Sequence, residues 1–160
     1  MQHYELKLFV CYVYNNKLNQ MGISYHAFVI DEKDRANKLC KLVVDNWEQT
    51  QAWETIAHHV TVGMGPTPNN LLPDLGKQFD ITLTHIGLIN GRVLAVKVIV
   101  KGFDQFASSI AFPHITLAIN RADGAKPYDS NKITDWTQLK EKILVKGTLC
   151  NLDNNSKIVK

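Results

Sequence analysis

Two triplets in this 160-residue chain hold side chains able to do acid–base chemistry, His59-Val60-Thr61 and His114-Ile115-Thr116. An imidazole with an unperturbed pKa of ~6.5 divides between neutral and charged forms near pH 7, so two of them can share one proton cycle. The neutral ring takes a proton from an attacking oxygen and the charged ring returns one to a leaving oxygen. A phosphoryl group between them gains negative charge, which the hydroxyls of Thr61 and Thr116 can meet with hydrogen bonds. The predicted catalytic residues are therefore His59, Thr61, His114 and Thr116, acting on a phosphodiester. Which histidine is acid and which is base depends on how the substrate lies, and the sequence leaves it open.

With six His and ten Thr in the chain, only ~0.4 His-x-Thr triplets are expected by chance. The two also share their context. Each continues as an apolar hexapeptide, His59-Val60-Thr61-Val62-Gly63-Met64 and His114-Ile115-Thr116-Leu117-Ala118-Ile119. Written as strands, alternate side chains point to opposite faces. His, Thr and a small residue (Gly63 or Ala118) would then share one face, with Val60, Val62, Met64 or Ile115, Leu117, Ile119 on the other. Each hydroxyl would stand about 6–7 Å along the strand from its histidine, at ~3.3 Å rise per residue. In strand geometry His58 and His59 face opposite sides and cannot hold one ion. No metal and no cofactor are expected.

The elements that must carry these strands follow from patterning. Alternation over 4–14 and 25–30 predicts two strands, separated by a polar loop over 15–22. Asp31 is placed to cap a helix reaching about residue 46, with Ala36, Leu39, Cys40, Val43 and Trp47 as its buried stripe. A connector holding Trp53 leads to the first motif strand over 57–64, and Gly63-Met64-Gly65-Pro66 ends it in a loop. Residues 69–78 predict a short helix interrupted by Pro73. Strands over 80–89 and 92–100 flank Asn90-Gly91, a strong hairpin signal. A loop or short helix over 103–111 precedes the second motif strand over 113–120. A long loop over 121–131 then overhangs the predicted cleft, where Lys126, Tyr128, Ser130 and Asn131 are candidate substrate-binding residues. A short helix over 137–142, a strand over 143–152 and a fraying polar tail over 153–160 complete the chain. His26 and His85 read as structural sheet residues. The fold class is α+β with mostly antiparallel sheets, arranged as two similar lobes around a central cleft in one domain, 1–152.

Bulk properties fit this reading. Eighteen basic and fifteen acidic residues give +3, a mild bias suited to an anionic ligand rather than to coating nucleic acid. Three widely spaced cysteines, Cys11, Cys40 and Cys150, show neither a Cys-x-x-Cys pair nor a disulfide framework. No signal-like start and no apolar run near the ~20 residues of a membrane span is present. A cytoplasmic, reducing compartment is the expectation, the host-cell cytoplasm if the chain is viral. No Walker or GxGxxG pattern occurs.

The paired H-x-T motifs on apolar strands resemble those of the 2H phosphoesterase superfamily. That family includes 2′,3′-cyclic phosphodiesterases, LigT-like RNA phosphodiesterases, the phosphodiesterase domain of fungal tRNA ligases and phage enzymes that linearise cyclic oligonucleotide signals. The resemblance implies a two-lobed, pseudo-symmetric, metal-independent enzyme, with His59 and Thr61 as the first pair and His114 and Thr116 as the second. The segment Gly124-x-Lys126-Pro127-x-x-Ser130-Asn131 is similar to one associated with the RNA-repair branch. No ligase or kinase sequence accompanies the motifs, so a full tRNA ligase is excluded. The substrate expected is an RNA end with a 2′,3′-cyclic phosphate, or a cyclic or linear oligonucleotide, and nothing calls for an obligate protein partner. The alternative is a non-catalytic RNA or nucleotide sensor built on the same cleft. Coincidental triplets in an unrelated core would instead leave His59 and His114 far apart or without access.

Overall fold

The computed structural model describes residues 22–160. The strand predicted over 4–14, most of the loop over 15–22 and Cys11 lie outside the described residues. Where apolar residues alternate, strands form: β1 (Tyr25–Ile30), β2 (Glu54–Thr55), β3 (His59–Met64), β4 (Gln78–Ile89), β5 (Val93–Val100), β6 (His114–Ile119), β7 (Trp136–Leu152) and β8 (Ile158–Val159). Every pairing among them is antiparallel. The order β1-β3-β6-β5-β4-β7 closes on itself because β1 also pairs with β7. Closure of these six strands leaves them no free edge. These strands belong to one continuous sheet, and the mixed α+β class is the one observed.

Between β1 and β3 runs a helical stretch over 32–45, followed by a short helix (Trp47–Thr50). Asp31 caps the stretch, accepting a hydrogen bond from the Asp34 N–H at 3.3 Å. The predicted stripe is corrected in part. Leu39 and Val43 are buried, but Ala36 is exposed, Trp47 is exposed and Leu42 takes a core place. The cause is a π-helical turn at Arg35–Leu39, which adds a residue to the turn and shifts the apolar face. The helix lays Leu39, Leu42 and Val43 on a core that includes Phe28, Val60, Val62, Leu94, Ile115 and Leu117.

Two more expectations change. The helix predicted over 137–142 is strand, part of β7: Gln138 pairs with His85 and Ile143 with Leu83, with an irregularity in the register over 139–142 between them. Local helix preference is overridden by pairing with β4 on either side of the stretch, Trp136, Thr137 and Gln138 before it and Ile143 and Leu144 after it. The tail over 153–160 turns back instead of fraying, with Leu152 paired to Ile158 and Asn151 to Val159. The Asn90-Gly91 hairpin forms between β4 and β5, with Gly91 at φ +74°.

Each motif strand carries a β-bulge directly after its threonine. On β3 the register passes from Thr61↔Ala27 to Gly63↔His26, leaving Val62 as the extra residue. On β6 it passes from Thr116↔Ala95 to Ala118↔Leu94, leaving Leu117 extra. A bulge reverses the facing of the residues beyond it. The small residues Gly63 and Ala118 therefore leave the His/Thr face, a correction to strict alternation. Met64 takes the face expected for Gly63 and stands 71 % exposed. At Gly63 the space is filled by the ring of buried His26, whose Nδ1 is hydrogen-bonded to the Gly65 carbonyl at 3.0 Å. A Cβ there would meet His26 Cε1 at 2.8 Å and the Ala107 Cβ at 3.2 Å. Gly63→Ala is expected to destabilise the protein by about 1–3 kcal/mol through overpacking. Urea melts of the two proteins check this, and coincident midpoints would refute it.

Candidate active site

The juxtaposition of the motifs rests on one antiparallel pair, Val60↔Ile115, between β3 and β6. In that register His59 falls opposite Thr116 and Thr61 opposite His114. All four lie on the face away from Val60 and Ile115, both of which are fully buried. Directly opposed residues have Cβ atoms about 4.5–5.5 Å apart, so the four polar side chains form a compact diagonal set. They line a single cavity of about 530 Å³. Both imidazoles border this one cavity, whereas coincidental core triplets were expected to lie far apart or without access.

The other walls come from elsewhere in the chain. Tyr25 of β1 and Met64 of β3 flank His59, and the Tyr25 and His59 ring centroids are 5.2 Å apart. Ser109 and Ile110 come from the loop before β6. Pro127, Tyr128 and Asn131 come from the loop after it, and Ser156 from the returning tail. Ser156 is tied to the Tyr25 hydroxyl at 2.6 Å. No Lys, Arg, Asp or Glu is among the described residues that line the cavity. The polar side-chain groups it offers are imidazoles, hydroxyls and the Asn131 amide.

The four candidate binding residues separate. Tyr128, 67 % exposed, and Asn131 line the cavity, and the Asn131 amide donates to the Tyr128 carbonyl. Lys126 is exposed and does not line it. Ser130 is a correction. It is fully buried behind Thr116, with the two hydroxyl oxygens 2.7 Å apart, so it braces Thr116 and has no access to a ligand. The Thr116 hydroxyl also donates to the Pro127 carbonyl at 3.2 Å. The Thr61 hydroxyl has no hydrogen-bond partner among the described residues.

This loop is held by Asp129, whose carboxylate accepts from the Lys126 N–H, from Arg92 and from Lys132. The backbone N–H of Lys126 is the main cause that draws its pKa down to about 2, aided by the two cations. Asp129 is therefore ionised throughout the neutral range and keeps Pro127 and Ser130 against Thr116.

The histidines differ in their surroundings. Burial, then the neighbouring His58 and His114, push His59 down to about 3. Burial also lowers His114, opposed by its Nδ1–H donating to the Phe112 carbonyl at 2.9 Å. Beside it, the Lys97 ammonium caps the Phe112 and Trp136 rings at 4.9 and 4.8 Å. His26 is buried in β1 and does not line the cavity, and His85 bonds to the neighbouring Thr84 on β4.

His58 departs from the expected geometry. Alternation holds only inside a strand, and β3 begins at His59. Ala57 before it has φ +43°, a left-handed backbone uncommon for a residue with a Cβ. The kink brings the His58 Nδ1 to 3.0 Å from the His59 Nδ1. Tyr25, Met64, Ser156 and His58 were not among the candidates. The adjacency of His58 to the motif was visible, but the kink that turns its ring was not.

No family model matches the sequence, and no curated protein sequence matches it either. Among solved structures the fold is similar to that of a fungal RNA kinase, with a TM-score of 0.54 at 14 % identity. The likeness covers 79 % of this chain and 45 % of that one, so the chain spans less than half the neighbour's length. At that identity the likeness establishes the architecture alone.

Proposed function

We propose that the protein is a metal-independent phosphodiesterase of the 2H type that hydrolyses a ribose phosphodiester, either a 2′,3′-cyclic phosphate end or a cyclic oligonucleotide. The observation that carries this is the Val60↔Ile115 pairing, which sets two His-x-Thr motifs from distant parts of the chain across one cavity. One histidine removes a proton from water as it attacks phosphorus, and the other protonates the departing ribose oxygen. Threonine hydroxyls stabilise the charge on the non-bridging oxygens. The matched bulges after Thr61 and Thr116 support a pseudo-symmetric, two-lobed reading in which β3 and β6 are equivalent strands. The fold likeness to a protein named an RNA kinase favours RNA as the setting.

The test is incubation, with EDTA present, with RNA bearing a 2′,3′-cyclic phosphate, linear 2′–5′ oligonucleotides and cyclic dinucleotides, with products identified by mass spectrometry. Turnover of at least one probe is expected. Tight binding with intact ligand recovered would favour the sensor, and loss of activity with EDTA that zinc restores would favour a metal enzyme.

Both rings are pushed below the ordinary 6.5. The mechanism needs one of them charged, and that proton is lost as pH rises through a lowered pKa. The kcat/KM profile, which reports the free enzyme, is therefore expected to peak on the acid side of 6.5. An optimum above neutrality would contradict it.

A further inference from the structure

We propose that His58 is a positioning residue for His59: its Nδ1 accepts the proton carried on His59 Nδ1, which leaves the Nε2 lone pair of His59 for the substrate. His59 is then the general base and His114 the general acid. This rests on the phosphodiesterase reading and assigns roles that the motifs alone leave open.

The geometry distinguishes the two rings. A backbone carbonyl can only accept, so the Phe112 carbonyl fixes the proton of His114 on Nδ1 and stabilises the ring when charged. That suits a proton donor. The partner of His59 is another imidazole at 3.0 Å, with the ring planes at 78°. One of the two facing nitrogens must carry a proton and the other a lone pair, so the pair is set by which ring donates.

Three features hold His58 against His59 as a neutral ring, which is what an acceptor on Nδ1 requires. The kink at fully buried Ala57 aims its ring at His59. Arg35 clamps that kink, its Nε donating to the Ala57 carbonyl at 2.9 Å and its Nη2 to the Ile56 carbonyl at 3.0 Å. Burial and the same guanidinium disfavour a charged His58, outweighing the exposed Glu32 on the facing helix. A neutral His58 half open to solvent can hold its own proton on Nε2 and offer Nδ1 as acceptor. The other groups around His59 are His114 across the cavity and the ring of Tyr25, whose phenol burial keeps protonated.

The proton balance closes. Water loses a proton to His59 Nε2 as its oxygen bonds phosphorus, the P–O bond to ribose breaks, and His114 Nε2 protonates that oxygen. His59 ends charged, its Nδ1–H still on His58, and exchange with solvent returns both rings to their starting states.

The first test is the imidazole 15N NMR spectrum of the wild-type protein at neutral pH, which needs no turnover. His59 protonated on Nδ1 and bare on Nε2 is the expected result, and the reverse tautomer overturns the proposal. The second compares His58→Ala with His58→Asn, whose amide oxygen can replace the acceptor, using 2′,3′-cyclic AMP and a cyclic dinucleotide as probes. His58→Ala should lose roughly 10- to 100-fold in kcat with KM little changed, less than the ~10⁴ caused by loss of a charged orienting group. His58→Asn should recover most of it. Equal rates in all three proteins, or equal loss in both variants, would overturn the proposal. If the wild type turns over neither probe nor any other ribose diester, the function reading fails instead, and the tautomer measurement still decides the His58 geometry.

Discussion

His59→Ala and His114→Ala should each lower turnover of the ribose phosphodiester substrate by ~10²–10⁴, the scale of general acid–base catalysis. The two losses should not multiply. Once one proton carrier is gone the other works on an incomplete cycle, so the double variant should fall little below the worse single one. Neither variant should unfold. Both rings line the cavity rather than filling the core, and Val60 and Ile115 behind them are untouched. Steady-state rates with thermal melts on the same preparations check both statements. Wild-type turnover in both single variants would end the two-histidine reading.

The threonines should separate into two kinds of effect. Thr61→Ala is expected to cost ~10²–10³ in kcat, as for loss of one donor to a developing oxyanion, with no change in melting temperature. Its hydroxyl has no partner among the described residues, so no bond among them is lost. Thr116→Ala should reduce activity and also destabilise the fold. It removes the only hydrogen-bond partner of the fully buried Ser130 hydroxyl among the described residues. An unsatisfied buried hydroxyl costs about 1–3 kcal/mol. Thr116→Ser, which keeps the oxygen, should restore most of the stability. A Thr116→Ala protein that melts with the wild type would mean that Ser130 does not depend on this bond.

The difference between the two threonines shows what could be read in advance. Both occupy the same place in the same pattern, and the chemistry expected of them was the same. What sets them apart is the loop over 121–131, which delivers Pro127 and Ser130 to Thr116 and nothing comparable, among the described residues, to Thr61. Ser130 was expected to meet substrate because Ser, Lys and Asn in a loop all look ligand-ready. Its burial goes with Asp129 tying the loop to Arg92, a contact spanning 37 positions in the chain. The helix over 137–142 misled in the opposite way. Its residues favour helix locally, and only the presence of β4 alongside makes strand the better outcome.

Residue pattern was enough to dictate strands at 59–64 and 114–119, a hairpin at Asn90-Gly91 and a His/Thr face on each motif strand. These come from side-chain sterics with a period of two residues and from turn chemistry, both of which act between near neighbours. Only the folded chain sets β3 beside β6, bulges each strand after its threonine, and turns the His58 ring onto His59. Pairing register and a clamp such as Arg35 on the Ala57 carbonyl are contacts between segments far apart in the chain. Their energies depend on the partner, and no local stretch of residues records who that partner will be.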